Sequence, residues 1–416
     1  MLDLSQVLAT IGLTDALDLF EAHWDESEAC FPAGGPLFLL PVQITEMRHY
    51  LGLPEEMDPS LHEAARIIRA EPALAHLAWH CYRLLFFHQE FEGGKMARWP
   101  EPVAQLGDLA GLFYVLISLP VVPLTRAAHM DRGVPDSVTR HTLTRYVELV
   151  DRYRMTHPGR WGLALGSLYW KRLYVNADLY ACGRFEYMVR PFHGAVRVFR
   201  HGQTRQTIAL AVDGTQFDAD GLMVQPLSEG WTARLAIDET SVTGCPVSPT
   251  GFAENREVTL PLHDWQQVLA PGDPTLDMHI PAGGGMTLER CLDSMKQAME
   301  FFPHYFPERP FVAFACYSWI FHPEMARVYT PESNMVLYQK ELYMFPIGTD
   351  RRSGLYFVFG TQDVDPATAP RDTSLRRAVL AELERDGRLL AGGMFFLADD
   401  IEHFGTQFYL KHFPGS

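Results

Sequence analysis

The sequence has little cysteine, and nothing in it pairs what there is. Six cysteines, at positions 30, 81, 182, 245, 291 and 316, are scattered through 416 residues with no C-x-x-C. That leaves no redox dithiol and points to a reduced, cytoplasmic protein without a structural metal. Cations are also scarce. Lys and Arg number 35 against 51 Asp and Glu, a net charge of −16. Nucleic-acid phosphates need clustered Lys and Arg, so no nucleic-acid partner is expected. There is no Walker lysine-serine pair and no G-x-G-x-x-G opening a βαβ unit near the N-terminus. The segment MLDLSQVLATIGL lacks a basic region and is acidic by Asp3, so no signal peptide is expected. The apolar run Leu109 to Leu124 is short and ends in prolines, so no membrane span is expected.

What is present is an ordinary globular composition, 47% hydrophobic and 21% charged, long enough for two or three domains. Residues 1–160 read as helical. Ser60 to Ala70, Pro72 to Glu92, Leu106 to Leu119 and Pro135 to Met155 carry apolar residues at helical spacing. The acidic HWDESE, residues 23–28, reads as an exposed helix end. HPGRW, residues 157–161, marks a boundary, and Leu163 to Val175 reads as one more helix. Beyond it, residues 161–416 read as a mixed domain. Arg184 to Arg190, Ala195 to Arg200, Thr207 to Val212 and Trp231 to Ile237 are β-like and separated by turn residues. Residues 239–257 read as a loop, Pro261 to Leu269 as a helical turn and Leu355 to Phe359 as a strand. Thr373 to Arg385 reads as a helix and Gly393 to Leu397 as a last strand. The fold class expected is α+β, an all-helical domain followed by a mixed-sheet α/β domain.

The informative stretch is TLDMHIPAGGGMTLERCLDSMKQAMEFFPHYF, residues 275–306. Leu276, Met278 and Ile280 alternate with Asp277 and His279, the period of a half-buried strand. Ala282-Gly283-Gly284-Gly285 permits positive φ and a close approach of backbone to a ligand. Thr287 is placed to cap the helix that follows, in which Leu288, Leu292, Met295, Ala298, Met299 and Phe302 repeat at helical spacing. A side-chain-free loop at a helix N-terminus suits a phosphate or pyrophosphate, and it is equally the form of a plain turn.

The pieces HIPAGGGMTLERC, SMKQAMEFFPHYFPE, CYSW and ESNMVLYQKELY resemble the C-terminal domain of a bacterial family of GNAT-like N-acyltransferases with a helical N-terminal domain. LYACGRFEYMV is similar to the strand that opens that domain. The resemblance implies an enzyme that moves an acyl group from acetyl-CoA or a longer acyl-CoA to the amine of a small molecule or peptide. The alternative is a non-catalytic protein that binds a ligand or partner on the same fold.

The implied chemistry needs a pyrophosphate cradle, donors along the pantetheine arm, a base for the amine and an acid for the leaving thiolate. The cradle falls on Ala282, Gly283, Gly284, Gly285 and Met286, although the loop lacks the leading Gln or Arg of ordinary GNAT loops. Tyr338, four residues after Asn334, matches the superfamily tyrosine that protonates the departing sulfur; otherwise it is an interior aromatic. Asn334 bonds the pantetheine arm or caps its helix. Asp277 and His279 share a strand face and are the candidate bases. Cys316 and Ser318 share a face of the next strand, and Cys316 is either an acyl-enzyme nucleophile or a buried apolar cysteine. Cys291 reads as a packing residue. His76-x-x-x-His80, with His88 two turns on, lacks the Glu of H-E-x-x-H and a third ligand, so no metal is expected there.

Overall fold

The computed structural model describes residues 2–225, 229–324, 329–350, 352–385 and 387–414, apart from the side chain of Ser167. The chain divides into two compact units, Met1–Ala181 and Cys182–Ser416. Residues 162–181 pack with the first unit.

The first unit is helical. Helix α1 spans Trp24–Ala29 and α2 spans Pro72–Phe86. Between and after them come helices Pro41–Leu51, Asp58–Ala70, Leu112–Ser118, Val121–Asp131, Asp136–Leu143, Tyr146–Thr156 and Lys171–Val175. Helix α2 is central because it is apolar nearly all round: Leu74, Leu77, Ala78, Cys81, Leu84 and Leu85 are fully buried. Pro72 sits in its first turn, where no N–H is needed, and the Glu71 side chain accepts from the Ala73 N–H. Its far end is closed by Arg172, whose guanidinium donates to the carbonyls of Leu84, Leu85, His88, Gln89 and Phe91. Those carbonyls have no helical partner, and one planar fork answers all of them.

Several expectations change here. HWDESE forms α1, but Ser27 and Glu28 are buried, not exposed. Glu28 accepts from the Leu2 N–H and pairs with His76, so its charge is used internally. Pro120 and Pro123 do not end the apolar run. Pro120 lies at the start of the next helix and Pro123 within its first turn. Together Leu112–Asp131 is long and apolar enough, by length and composition, to cross a membrane, and most of it is buried inside the unit. Leu163 to Val175 is a 3₁₀ turn, Leu165–Trp170, followed by a short helix.

In the second unit the strands that build the two larger sheets begin with β1 Phe185–Pro191, β2 Val196–His201, β3 Thr207–Ala211, β4 Pro246–Val247, β5 Trp265–Leu269 and β6 Pro274–His279. Helix α3, Leu288–Tyr305, leads to β7 Ala313–Ser318; α4, Asn334–Glu341, leads to β8 Tyr343–Pro346; β9 is Gly392–Leu397. Within this unit the main sheet has the order β1-β6-β7-β9-β8. Only β6 and β7 are parallel, joined through α3; the other neighbours are antiparallel. A second sheet has the order β5-β2-β3-β4. Helix α3 is fixed to β1 by Ser294, which accepts from the Phe185 N–H at 3.0 Å, bonds the Tyr187 hydroxyl at 2.9 Å and donates to the Cys182 carbonyl.

Three segments differ from the sequence reading. Pro261 to Leu269 is not a helical turn: β5 pairs with β2, with Trp265 opposite His201. Leu355–Phe359 is a helical turn and not a strand, with Gly354 and Gly360 at positive φ on either side and Leu355 and Val358 buried one turn apart. The expected loop 239–257 also contains the strand Ser241–Gly244 and β4.

Candidate active site

Strand β6 runs into the glycine loop. Gly283, Gly284 and Gly285 have φ of +72°, +70° and +70°, three successive left-handed residues that side chains disfavour. Arg184 donates to the carbonyls of Pro281 and Gly285, both at 2.7 Å, and Arg290 donates to that of Gly284. In a trans peptide the N–H points away from the C=O. The arginines therefore turn the N–H groups of Ala282 and Met286 to the other side of the loop. Thr287 caps α3 as expected, accepting from the Arg290 N–H at 3.4 Å. The loop, the positive end of an 18-residue helix and two guanidiniums meet here. The sequence reading missed both arginines. Arg290 lies one turn into the helix, and Arg184 is far away in sequence but stands at the start of β1.

The β6–β7 ladder stops early. Its last paired residues are Asp277 and Ala315. Beyond that point β6 continues to pair with β1 as far as His279 opposite Glu186. Likewise β7 continues with β9 as far as Ser318 opposite Gly392. The two parallel strands thus diverge at Met278–His279 and Cys316–Ser318, each held by its outer neighbour. The gap opens toward the glycine loop and bares backbone donors and acceptors on both walls, as an extended amide-bearing ligand requires.

Strand alternation sorts the side chains at this gap. Asp277 and His279 lie on one face, with His279 Nε2 3.7 Å from Asp277 Oδ2, ion-pair range but too long for a hydrogen bond. Burial pushes the Asp277 carboxyl up to about 7, against the pull of Arg190 and of the Met278 N–H. Glu186, opposite His279 in register and buried, joins this face and was not foreseen. Met278 points to the other face, where Tyr338 is fully buried and donates its hydroxyl to the Met278 sulfur at 3.7 Å. Burial holds the phenol well above its ordinary pKa, so it keeps its proton. The candidate base and the candidate acid therefore flank the gap from opposite faces of one strand.

Other residues fall away from the gap or into packing. Ser333 caps α4, accepting from the Val336 N–H; Asn334 is the first helical residue and exposed, so the capping alternative for Asn334 is corrected. Cys316 is buried, and its thiol is raised well above the ordinary range, which removes the thiolate an acyl-enzyme needs. The Ser318 hydroxyl accepts from the Ile320 N–H. Cys291 is buried, with its thiol pushed up to about 12. In the first unit His76 pairs with Glu28 and stacks on Phe31, and His80 bonds Ser27 and the Phe20 carbonyl. Neither faces His88, which stacks on His23 instead.

Comparison with known proteins identifies the family. Residues 42–172 match the N-acyltransferase N-terminal domain, and residues 179–395 match the GNAT-like C-terminal domain. The chain belongs to this N-acyltransferase family and is a GNAT-like N-acyltransferase, so the non-catalytic alternative gives way. No curated protein matches it. Among solved structures it is similar to an acyltransferase in complex with decanoyl-CoA and teicoplanin, with 21% identity, TM-score 0.65, and 95% of this chain and 99% of that one covered. An acyltransferase in complex with CoA and 10C-teicoplanin and an acyltransferase mutant in complex with octanoyl-CoA each share 20% identity, TM-score 0.64, and the same coverage.

Proposed function

We propose that the pantetheine arm of an acyl-CoA lies in the gap between β6 and β7, with its pyrophosphate on the backbone of Ala282 to Met286. The observation that carries this is the ladder's end at Asp277 and Ala315 while both strands continue on their outer sides. Arg184 and Arg290 hold the loop open and add positive charge beside the phosphates. Asn334, exposed at the start of α4, reaches the arm by its side-chain amide.

The chemistry follows from the two faces. The acceptor amine nitrogen attacks the thioester carbonyl, and Asp277, assisted by His279, takes the proton the nitrogen loses. A carboxyl near 7 is matched to that task at neutral pH. As the C–S bond breaks, Tyr338 gives its proton to the sulfur, and an amide and free CoA leave. The weak sulfur contact that Tyr338 makes with Met278 costs little to exchange for the thioester sulfur.

The relatives that carry octanoyl- and decanoyl-CoA support a donor of medium chain length, and those that carry teicoplanin support an amine on a glycopeptide as acceptor. The six free cysteines support a cytoplasmic setting. The test is a transfer assay with acetyl-, octanoyl- and decanoyl-CoA, using deacylated teicoplanin and simple amino sugars as acceptors. The reading expects the highest kcat/KM with the longer donors and an amide product on mass spectrometry. Preference for acetyl-CoA with every acceptor would overturn the chain-length assignment.

A further inference from the structure

A second constellation of titratable groups lies in the helical unit and takes no part in the acyl chemistry. His23 and His88 stack face to face, ring centroids 3.9 Å apart and planes 21° from parallel. Two carboxylates bracket the pair. On one side Glu90 reaches the far nitrogen of each ring, His23 Nε2 at 2.9 Å and His88 Nδ1 at 3.4 Å. On the other side Glu26 faces the near nitrogens, His23 Nδ1 at 3.1 Å and His88 Nε2 at 4.0 Å. The donor atoms of His23, Glu26 and His88 all lie within 4.8 Å of one another.

A neutral imidazole has one N–H. His23 Nδ1 hydrogen-bonds the Glu26 carboxylate, and an N–H on His88 Nδ1 directed at Glu90 leaves the lone pair of His88 Nε2 facing Glu26. The His88 side chain is 9% exposed, and its Nε2 is buried with no hydrogen-bond partner, a lone pair aimed into the cluster.

We propose that His23 Nδ1, His88 Nε2 and the Glu26 carboxylate bind a divalent transition-metal ion of the zinc class. Two imidazoles and a carboxylate are a donor set Zn²⁺ takes, with water completing a tetrahedron. Glu90 is the outer carboxylate that fixes the tautomer and orientation of both rings, as partners of metal-bound histidines do. The site is braced. Arg172 pins the carbonyls of His88, Gln89 and Phe91, and His23 holds a left-handed backbone, φ +62°, at the start of α1. The ion joins the start of α1 to the segment after α2 and stabilises the helical unit.

The test is a titration of the full chain, stripped with EDTA and desalted, with ZnSO₄ in competition with a chromophoric chelator, and with Co²⁺ as a spectroscopic probe. The wild type is expected to bind one equivalent of Zn²⁺, to show the intense visible bands of tetrahedral Co²⁺, and to melt at higher temperature with Zn²⁺. His88→Ala and the surface variant Glu26→Gln are expected to lose the bands and the melting shift. Glu90→Gln is expected to weaken binding by roughly 10–100-fold. Cys30→Ser, which removes the exposed thiol, is expected to change nothing. No stoichiometric Zn²⁺ on the wild type, or binding that survives Glu26→Gln combined with His23→Ala, overturns the proposal.

Discussion

Asp400 and Asp277 are both carboxylates drawn out of water in the GNAT-like unit, and their surroundings differ in kind. Asp400 is fully buried and fully answered: Arg200 grips it with both terminal nitrogens, Arg205 reaches it at 3.2 Å, and the Tyr409 hydroxyl donates to it at 2.8 Å. Asp277 is four-fifths buried, with His279 at 3.7 Å, and burial outweighs the attractions it does receive. A carboxylate with every lone pair matched holds structure together. One left short of partners, at the end of a broken ladder, is a group kept ready for a proton.

The largest effect should come from the answered aspartate. Asp400→Ala strands Arg200 without its counter-charge and should cost about 3–5 kcal/mol of stability in urea unfolding. Next is the acid. Tyr338→Phe should lower kcat by about a hundredfold or more, roughly 2.7 kcal/mol, with acyl-CoA affinity unchanged. Equal turnover in single-turnover assays would remove the phenol from the reaction.

Asp277→Asn separates the two aspartates by pH. A carboxyl whose folded pKa lies near 7, above its unfolded 3.8, binds its proton more tightly when folded. Its contribution to stability is therefore present in full below about 4 and lost as pH rises through about 7. The Asn variant should match wild type in stability near pH 4 and exceed it by about 2 kcal/mol at pH 8, a discounted figure because the carboxyl keeps some contact with water. Wild-type kcat/KM should rise through pH 7 and the variant should lose that limb. The smallest effect is Ser294→Ala, which leaves the Phe185 N–H and Tyr187 hydroxyl without their partner and should cost about 1–2 kcal/mol in thermal or urea unfolding.

What the sequence made legible was local. The strand, glycine loop, Thr287 cap and helix over 275–306 read correctly because alternation, three glycines and a 3.6-residue period follow one another without conflict. Leu355–Phe359 misread because five apolar residues carry no period, and the flanking glycines, which end the turn on both sides, resemble strand boundaries. Pro261 to Leu269 misread because its partner strand, Val196–His201, is distant in sequence. The same distance hid the arginines of the loop: Arg184 stands 101 residues from Gly285. It also hid His23 from His88, while the visible His76–His80 spacing led to two side chains with other partners. The face of Tyr338 was legible as helix periodicity, but its place across the strand from Asp277 follows only from the register of β6.

The most direct measurement is a thermal-shift titration of decanoyl-CoA against the wild type, Tyr338→Phe and Gly284→Asp. Ligand at about a hundred times its Kd stabilises the native state by roughly 2.7 kcal/mol, a shift of a few degrees. The account predicts a saturable shift in the wild type, the same shift in Tyr338→Phe, and none in Gly284→Asp, whose side chain would meet Arg184 at a backbone φ of +70°. A full shift in Gly284→Asp, or none in the wild type, would contradict the placement of the cofactor on this loop.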